Sequence, residues 1–284
     1  MAVFAAMAKR ECQATMVPGM ISTTEARLRE LLAPSVTDVR EDALAGVEMT
    51  LLAAQDAEAQ ALGIQFEGGP DVTVVVTDPA RPLGQVRLQA SGAHNTLFFD
   101  NRGWEGHFYA NIRLAGEESI AMFNRIGDAY VALADVFLRS DRQFLFWGAG
   151  ASAVGCSLEI EGIGHGMVVG DDALISGGVW LRNYDMHAMH DLRTGARIGR
   201  PPLDTVVERH VWLGQDALLL SCERVGMGSI IGARSVVKGV VPPRVVAAGT
   251  PARVVREDVS WGRHPYGMTG AERISIGLPE LPQY

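Results

Sequence analysis

Residues 207–237 read VERHVWLGQDALLLSCERVGMGSIIGARSVV, and they decide the fold. Steps of six from Val207 land on Leu213, Leu219, Val225, Ile231 and Val237. Glycine follows in Leu213-Gly214, Val225-Gly226 and Ile231-Gly232, and a small residue stands four places after the aliphatic one in Ala217, Ser229 and Ser235. One large aliphatic and one small residue per six predict short strands joined by tight turns, with the aliphatic side chain inward and the small one at a corner. Three such units make a triangular coil of about eighteen residues, and coils stack through parallel backbone hydrogen bonds. A sandwich instead repeats its strands roughly every 8–12 residues.

The same step runs upstream. It passes through Ile120, Ile126, Ala132, Leu138, Phe144, Gly150 and Cys156, slips by one residue, and continues through Ile163, Val169, Ile175 and Leu181. Of the seventeen stepped positions only Gly150 is not apolar. A chain that is about half apolar would score roughly eight or nine. The segment from Val72 to Leu114 is also β-rich, with Val72–Val76 as its first strand. Leu97, Phe98, Phe99, Trp104, Phe108 and Tyr109 are bulky for hexapeptide corners, so this segment reads as distorted first coils, or equally as a separate small sheet.

Positions 1–68 read as a mostly helical N-terminal module. Ser22-Thr23-Thr24-Glu25 is a capping-box pattern in front of a helix over 23–32, and the spacing of Leu44, Val47, Leu51, Ala54 and Leu62 predicts a second helix over 37–62. The β-helix domain is expected over 69–256, and positions 257–284 form an irregular tail with Trp261 and Tyr266 as its anchors.

Composition bounds the function. The chain has 284 residues and a net charge of −8, which argues against nucleic acid or an anionic membrane as the main partner. Cys12, Cys156 and Cys222 are odd in number and lack metal-type spacing, so they read as reduced thiols. No stretch approaches the ~18 apolar residues of a membrane span, and the expected location is the cytoplasm.

The six-residue pattern breaks once, between Leu181 and Val207. The excursion spans 182–206 and opens with NYDMHAMHDLRTG, residues 183–195. It carries His187 and His190, with Asp185 and Asp191 beside them. A loop thrown out of a regular scaffold and bearing histidine and carboxylate is a common mount for acid–base chemistry.

These stretches together resemble a known family. VWLG at 211–214, IGARSVV at 231–237, Pro242-Pro243 and AGTPARVVRE at 248–257 resemble the C-terminal end of the hexapeptide-repeat acyltransferases, closest to the sugar and polysaccharide O-acetyltransferases. The loop resembles their S-D-x-H-x-I-x-D-x-x-T-G stretch. The resemblance covers about residues 120–263. It implies a left-handed parallel β-helix, acetyl-CoA as co-substrate, a carbohydrate acceptor, a homotrimer with active sites between subunits, and no metal. It places the catalytic base at His187, with Asp185 just before it and His190 on an unspecified position of the pattern. It points to Gln215, Ala233, Lys238 and Gly239 for coenzyme A contacts, and to Arg253 and Arg256 for the phosphates. Relatives read Thr-Lys where this chain has Lys238-Gly239, a one-residue displacement that would turn the lysine to the other face of a strand. Trp212 reads as packing at the groove wall.

Two other readings remain at this stage. One is a non-catalytic β-helix scaffold or binding module. The other is a metal-dependent carbonic anhydrase on the same fold, which would need three converging histidines; His165 and His210 lack the spacing to join His187 and His190.

Overall fold

The structure is a computed structural model that describes residues 47–69, 71–105 and 107–279. The helix expected over 23–32 lies outside them. So does the first part of the helix expected over 37–62, and its remainder is different: Thr50–Ala53 is a strand, and only Ala57–Ala61 is helical. Thr50–Ala53 is drawn into the sheet by its partner: it pairs antiparallel with the β-branched strand Val72–Val76.

Val74, Leu97, Ala121, Leu145 and Met167 lie directly in register, each on the next of five parallel strands. Those strands are Val72–Val76, Asn95–Phe99, Ile120–Phe123, Phe144–Trp147 and Gly166–Val169, and Thr205–Val207 continues the stack. This is the first face of a parallel β-solenoid. Two further faces are built from Ile64–Gly68, Gln85–Ala90, Phe108–Leu114, Val131–Leu138 and Ser152–Ile160. Ser152–Ile160 turns its corner at Gly155, where φ is +76 and the register shifts. Beyond it the two faces separate. Leu174–Ile175, Trp212–Leu213, Ile230–Ile231 and Val246–Gly249 stack on the second face. Trp180–Arg182 and the starts of Leu218–Val225 and Val236–Val241 stack on the third. The β segment from Val72 to Leu114 is therefore part of the solenoid, not a separate sheet.

Coil length changes along the stack. Val207 pairs with Val225, Leu213 with Ile231 and Leu219 with Val237, each partner three hexapeptide steps on. Earlier partners are farther apart: Phe99 pairs with Phe123, and Phe123 with Trp147, each four steps on. The three-unit coil expected throughout thus holds only for the C-terminal coils. The extra length makes room for the large side chains. Phe99 and Phe123 stack at 5.2 Å, and Phe108 meets Phe123 edge-on at 5.1 Å. Trp104 closes the cluster. Of the stepped residues, Ile163 is 60% exposed, while Val207, Leu213, Leu219, Val225, Ile231 and Val237 are all buried.

The first face is apolar on both sides, as strands covered on both faces are. Val75, Phe98, Met122, Phe146, Val168 and Val206 form its outer ladder, which is buried, and Met49 packs against it.

The chain leaves the stack through Ala252–Arg256, which turns back antiparallel on Val246–Gly249 and covers that edge. It then climbs one corner as a strap. The Val259 N–H donates to the Arg244 carbonyl, the Ser260 hydroxyl to the Gly228 carbonyl, and the Trp261 indole N–H to the His210 carbonyl. Trp261 is buried, whereas Tyr266, also expected as an anchor, is 90% exposed. The helix Gly270–Ser275 follows, opened by a capping box between Thr269 and Glu272.

Candidate active site

Leu181 and Leu219 are partners across adjacent coils, as are Leu219 and Val237. The first pair is separated by more than twice as much chain as the second. The surplus is thrown out between the third face and the first. It does not form a formless loop. Met189–His190 pairs antiparallel with Arg197–Ile198, and Asp191 folds the hairpin end by accepting the backbone N–H of Arg193 at 2.8 Å and of Thr194 at 2.9 Å. Those backbone bonds, that from Thr194 first, hold the Asp191 carboxyl below its usual range. Asp191 is thus a turn residue.

The neck of the insertion is polar and buried. Asn183 is fully buried, and its amide nitrogen donates to the carbonyls of Glu161 and Leu203, both at 2.9 Å. Next to it Tyr184 is 6% exposed, and burial, then the charge of Glu159, pushes its phenol up. Glu159 forms ion pairs with Arg139 at 2.5 Å and Arg182 at 2.7 Å. Arg182 lies over the Trp180 ring at 3.8 Å. On the return side the Asp204 carboxylate accepts the Gly166 N–H at 2.9 Å and faces His165 Nδ1 at 3.3 Å.

Between neck and hairpin lies His187. Its side chain is exposed, and it makes no hydrogen bond or ion pair among the described residues. His190, also exposed, has Nδ1 3.4 Å from the Gly195 carbonyl, within the hairpin. Asp185 is not against the imidazole of His187; its Oδ1 lies 3.6 Å from Lys238 Nζ, two coils further along the stack. Gly239, beside Lys238, has φ of +72, and its open side faces the Arg200 guanidinium. The insertion, Lys238 and Gly239 thus share one corner, where the third face turns into the first.

Gln215 and Ala233 occupy a different corner, between the second face and the third. They are exposed and stacked, and the Gln215 carbonyl accepts the Arg234 N–H of the next coil. Arg253 and Arg256 are exposed on the strand that covers the edge below. Arg253 faces Ala248 there. Among the described residues no hydrogen bond or ion pair joins this corner to the insertion. The sequence-derived set therefore divides into two groups: Asp185, His187, His190, Lys238 and Gly239, and Gln215, Ala233, Arg253 and Arg256.

Two things were missed from sequence. One is Asn183, whose only signal is its place, two residues past the last regular aliphatic, Leu181. The other is the partner of Lys238, which pairing across coils alone reveals. Trp212 is 36% exposed, with its indole N–H on the Ser176 hydroxyl at 3.2 Å and its ring 6.1 Å from that of Trp261. His165 and His210 are engaged at separate places, with Asp204 and with Asp172. The described residues contain no group of three or more His, Cys, Asp or Glu side chains set to hold a metal. A cavity of ≈ 370 Å³ lined by Gln60, Ile64 and Gln85 lies in the first coil, not beside the insertion. No described helix is long and apolar enough to cross a membrane.

Known proteins share both the sequence and the shape. Galactoside O-acetyltransferase of Escherichia coli (strain K12) is 34% identical over 100 residues, which is 35% of this chain and 48% of that protein. Polysialic acid O-acetyltransferase of Neisseria meningitidis is 32% identical over 127 residues, 40% of this chain and 59% of that protein. The crystal structure of a polySia-specific acetyltransferase superposes with a TM-score of 0.56 at 21% identity, covering 74% of this chain and 83% of that one. The chain is a β-solenoid like those of the hexapeptide-repeat acyltransferases. It spans about half the length of the curated relatives it matches. No protein-family model matches it.

Proposed function

We propose that this solenoid is an acetyl-CoA-dependent O-acetyltransferase acting on a hydroxyl of a sugar or polysaccharide precursor. The observation that carries the reading is the insertion: the one long break in the C-terminal coils carries an exposed histidine, His187, between its neck and its hairpin, open to meet a substrate. The curated relatives, which act on galactosides and polysialic acid by name, supply the acceptor class.

The chemistry follows from the groups present. His187 takes the proton of the acceptor hydroxyl as that oxygen attacks the thioester carbonyl. The carbonyl π pair moves onto oxygen, then returns as the C–S bond breaks. The leaving thiolate collects the proton from His187, so the ring ends as it began. No acyl-enzyme is needed, and the two buried cysteines are not nucleophiles here. Their reduced state suits the cytoplasm. Coenzyme A carries a pyrophosphate and a 3′-phosphate, and Arg253 and Arg256 answer them with exposed guanidinium groups. Gln215 and Ala233, on the adjoining corner, are placed to meet the pantetheine. Lys238, paired with Asp185, acts through the insertion as much as on the donor. Because the donor corner and the insertion corner differ, a homotrimer unites them, one subunit giving the histidine and its neighbour the donor groove.

Titration calorimetry tests the donor. Wild type is expected to bind acetyl-CoA in the micromolar range, and the Arg253→Ala/Arg256→Ala variant to bind it at least about tenfold more weakly, through loss of charge-assisted bonds. His187→Ala is expected to keep that binding and to lose about 10²–10⁴-fold in transfer to a galactoside or a polysialic acid oligomer. Full activity in His187→Ala would sink the mechanism, and absence of acetyl-CoA binding would sink the function.

A further inference from the structure

His187 has no hydrogen bond of its own among the described residues, so the backbone that carries it must set its position. Four residues earlier, Asn183 makes an unusual set of bonds. Its Nδ2 donates to the Glu161 carbonyl on the preceding coil and to the Leu203 carbonyl where the insertion returns, both at 2.9 Å. Its Oδ1 accepts the Glu161 N–H at 2.8 Å. Its own carbonyl accepts the Leu203 N–H at 3.3 Å. One buried side chain therefore closes the neck of the excursion and bolts it to the coil beside it.

Only an amide fits this role. The site asks for two donors and one acceptor at once, in a place without water access, where each unmade bond is costly. Asparagine is used similarly at ordinary corners. Asn95 Nδ2 donates to the Gly92 and Gly116 carbonyls, and its Oδ1 accepts the Ser119 N–H. Asn183 differs in that the corner it closes carries the insertion.

We infer that Asn183 is a positioning residue: through its bonds to Glu161 and Leu203 it fixes where the insertion, and with it the His187 ring, stands against the solenoid. The inference rests on the role proposed for His187. Between the neck and the histidine the other ties are weak: the partly exposed 3.6 Å pair of Asp185 with Lys238, and an exposed bond from the Arg182 guanidinium to the Met186 sulfur at 3.2 Å.

Trypsin reads the anchor without reference to catalysis, because Arg193 and Arg197 are exposed on the insertion. Asn183→Ala is expected to be cut after these two arginines about tenfold faster than wild type, since local opening governs such cleavage. The kcat for acetyl transfer to a galactoside or a polysialic acid oligomer should fall about 100-fold, with the KM for acetyl-CoA changed less than about twofold, as misplacement of a reacting group predicts. Asn95→Ala is the control. It removes the same kind of bolt elsewhere and should leave cleavage of the insertion at the wild-type rate. If Asn183→Ala does not fold, Asn183→Asp keeps the acceptor and loses both donor bonds, and is read the same way. Cleavage as slow as wild type, equal acceleration in Asn95→Ala, or a KM rise with kcat unchanged overturns the inference. A wild type that transfers no acetyl group defeats the proposed function instead, and cleavage still decides whether Asn183 holds the insertion.

Discussion

Cys156 and Cys222 show how far a single residue's environment decides its chemistry. Both are fully buried, and burial pushes each thiol up to about 12. At pH 8 only about one in ten thousand would be thiolate, the form that reacts. In a Cys12→Ser variant, native protein is expected to take up no iodoacetamide over hours and both thiols to react once denatured. Rapid native labelling would mean that the coils open around them. Their inertness was legible from sequence, because Cys156 falls on a stepped apolar position and Cys222 lies close to one. His187 was legible for another reason: a loop motif survives wherever the chain runs. The pairing of its neighbour Asp185 was not, since the partner that takes it, Lys238, lies far along the chain and meets it only when coils stack. Asn183 looked like an ordinary loop residue because nothing in a linear pattern marks an amide with its donors and acceptor all engaged.

At the scale of an element, the C-terminal strap is the clearest case of a segment whose role lay in tertiary contacts. Its sequence shows aromatic anchors and turn residues; its hold on the solenoid comes from hydrogen bonds, a ring stack and an ion pair. His210 is fully buried, stacks on Trp261 at 4.3 Å, and sets Nδ1 2.6 Å from Asp172 and Nε2 2.8 Å from the Trp261 carbonyl. Arg263 donates to Asp172 at 2.5 Å, to the Ser152 hydroxyl at 3.0 Å and to the Gly150 carbonyl at 3.0 Å. Burial pushes the Asp172 carboxyl up, but the His210 hydrogen bond and the Arg263 charge outweigh it and hold the group below its usual value. A carboxyl depressed in the folded state stabilises the fold above its unfolded pKa, about 3.9, and that contribution is lost as pH falls through the folded value. The melting temperature of wild type should therefore exceed that of Asp172→Asn by a constant margin above about pH 5, and the margin should close below about pH 4. A margin unchanged down to pH 3 would show that the carboxylate is not what fastens the strap.

For the whole molecule, the six-residue step disclosed the architecture because the inner position of each face recurs at fixed distance in the C-terminal coils. It scored well in the N-terminal coils for a different reason. A coil longer by one whole unit is still a multiple of six, so Ile120 and Phe144 stay in step while lying in the outer ladder of the first face. Periodicity alone does not separate the two, and coil length became visible only through strand pairing. The same geometry carries a test of assembly. His187 stands on the corner between the third and first faces; Gln215, Ala233, Arg253 and Arg256 gather at the corner and edge beyond the second face. If one subunit supplies the histidine and its neighbour the donor groove, two inactive variants can repair each other. His187→Ala and Arg253→Ala/Arg256→Ala, unfolded together in equal amounts and refolded, should form mixed rings in which about a quarter of the sites combine an intact histidine with an intact groove. Acetyl transfer should then return to about a quarter of the wild-type level, while the same variants mixed after separate refolding stay inactive. Light scattering on the refolded sample should give three 30.5 kDa chains per particle. If co-refolded trimers remain as inactive as either parent, histidine and groove belong to one chain, and the division of the site between corners has another purpose.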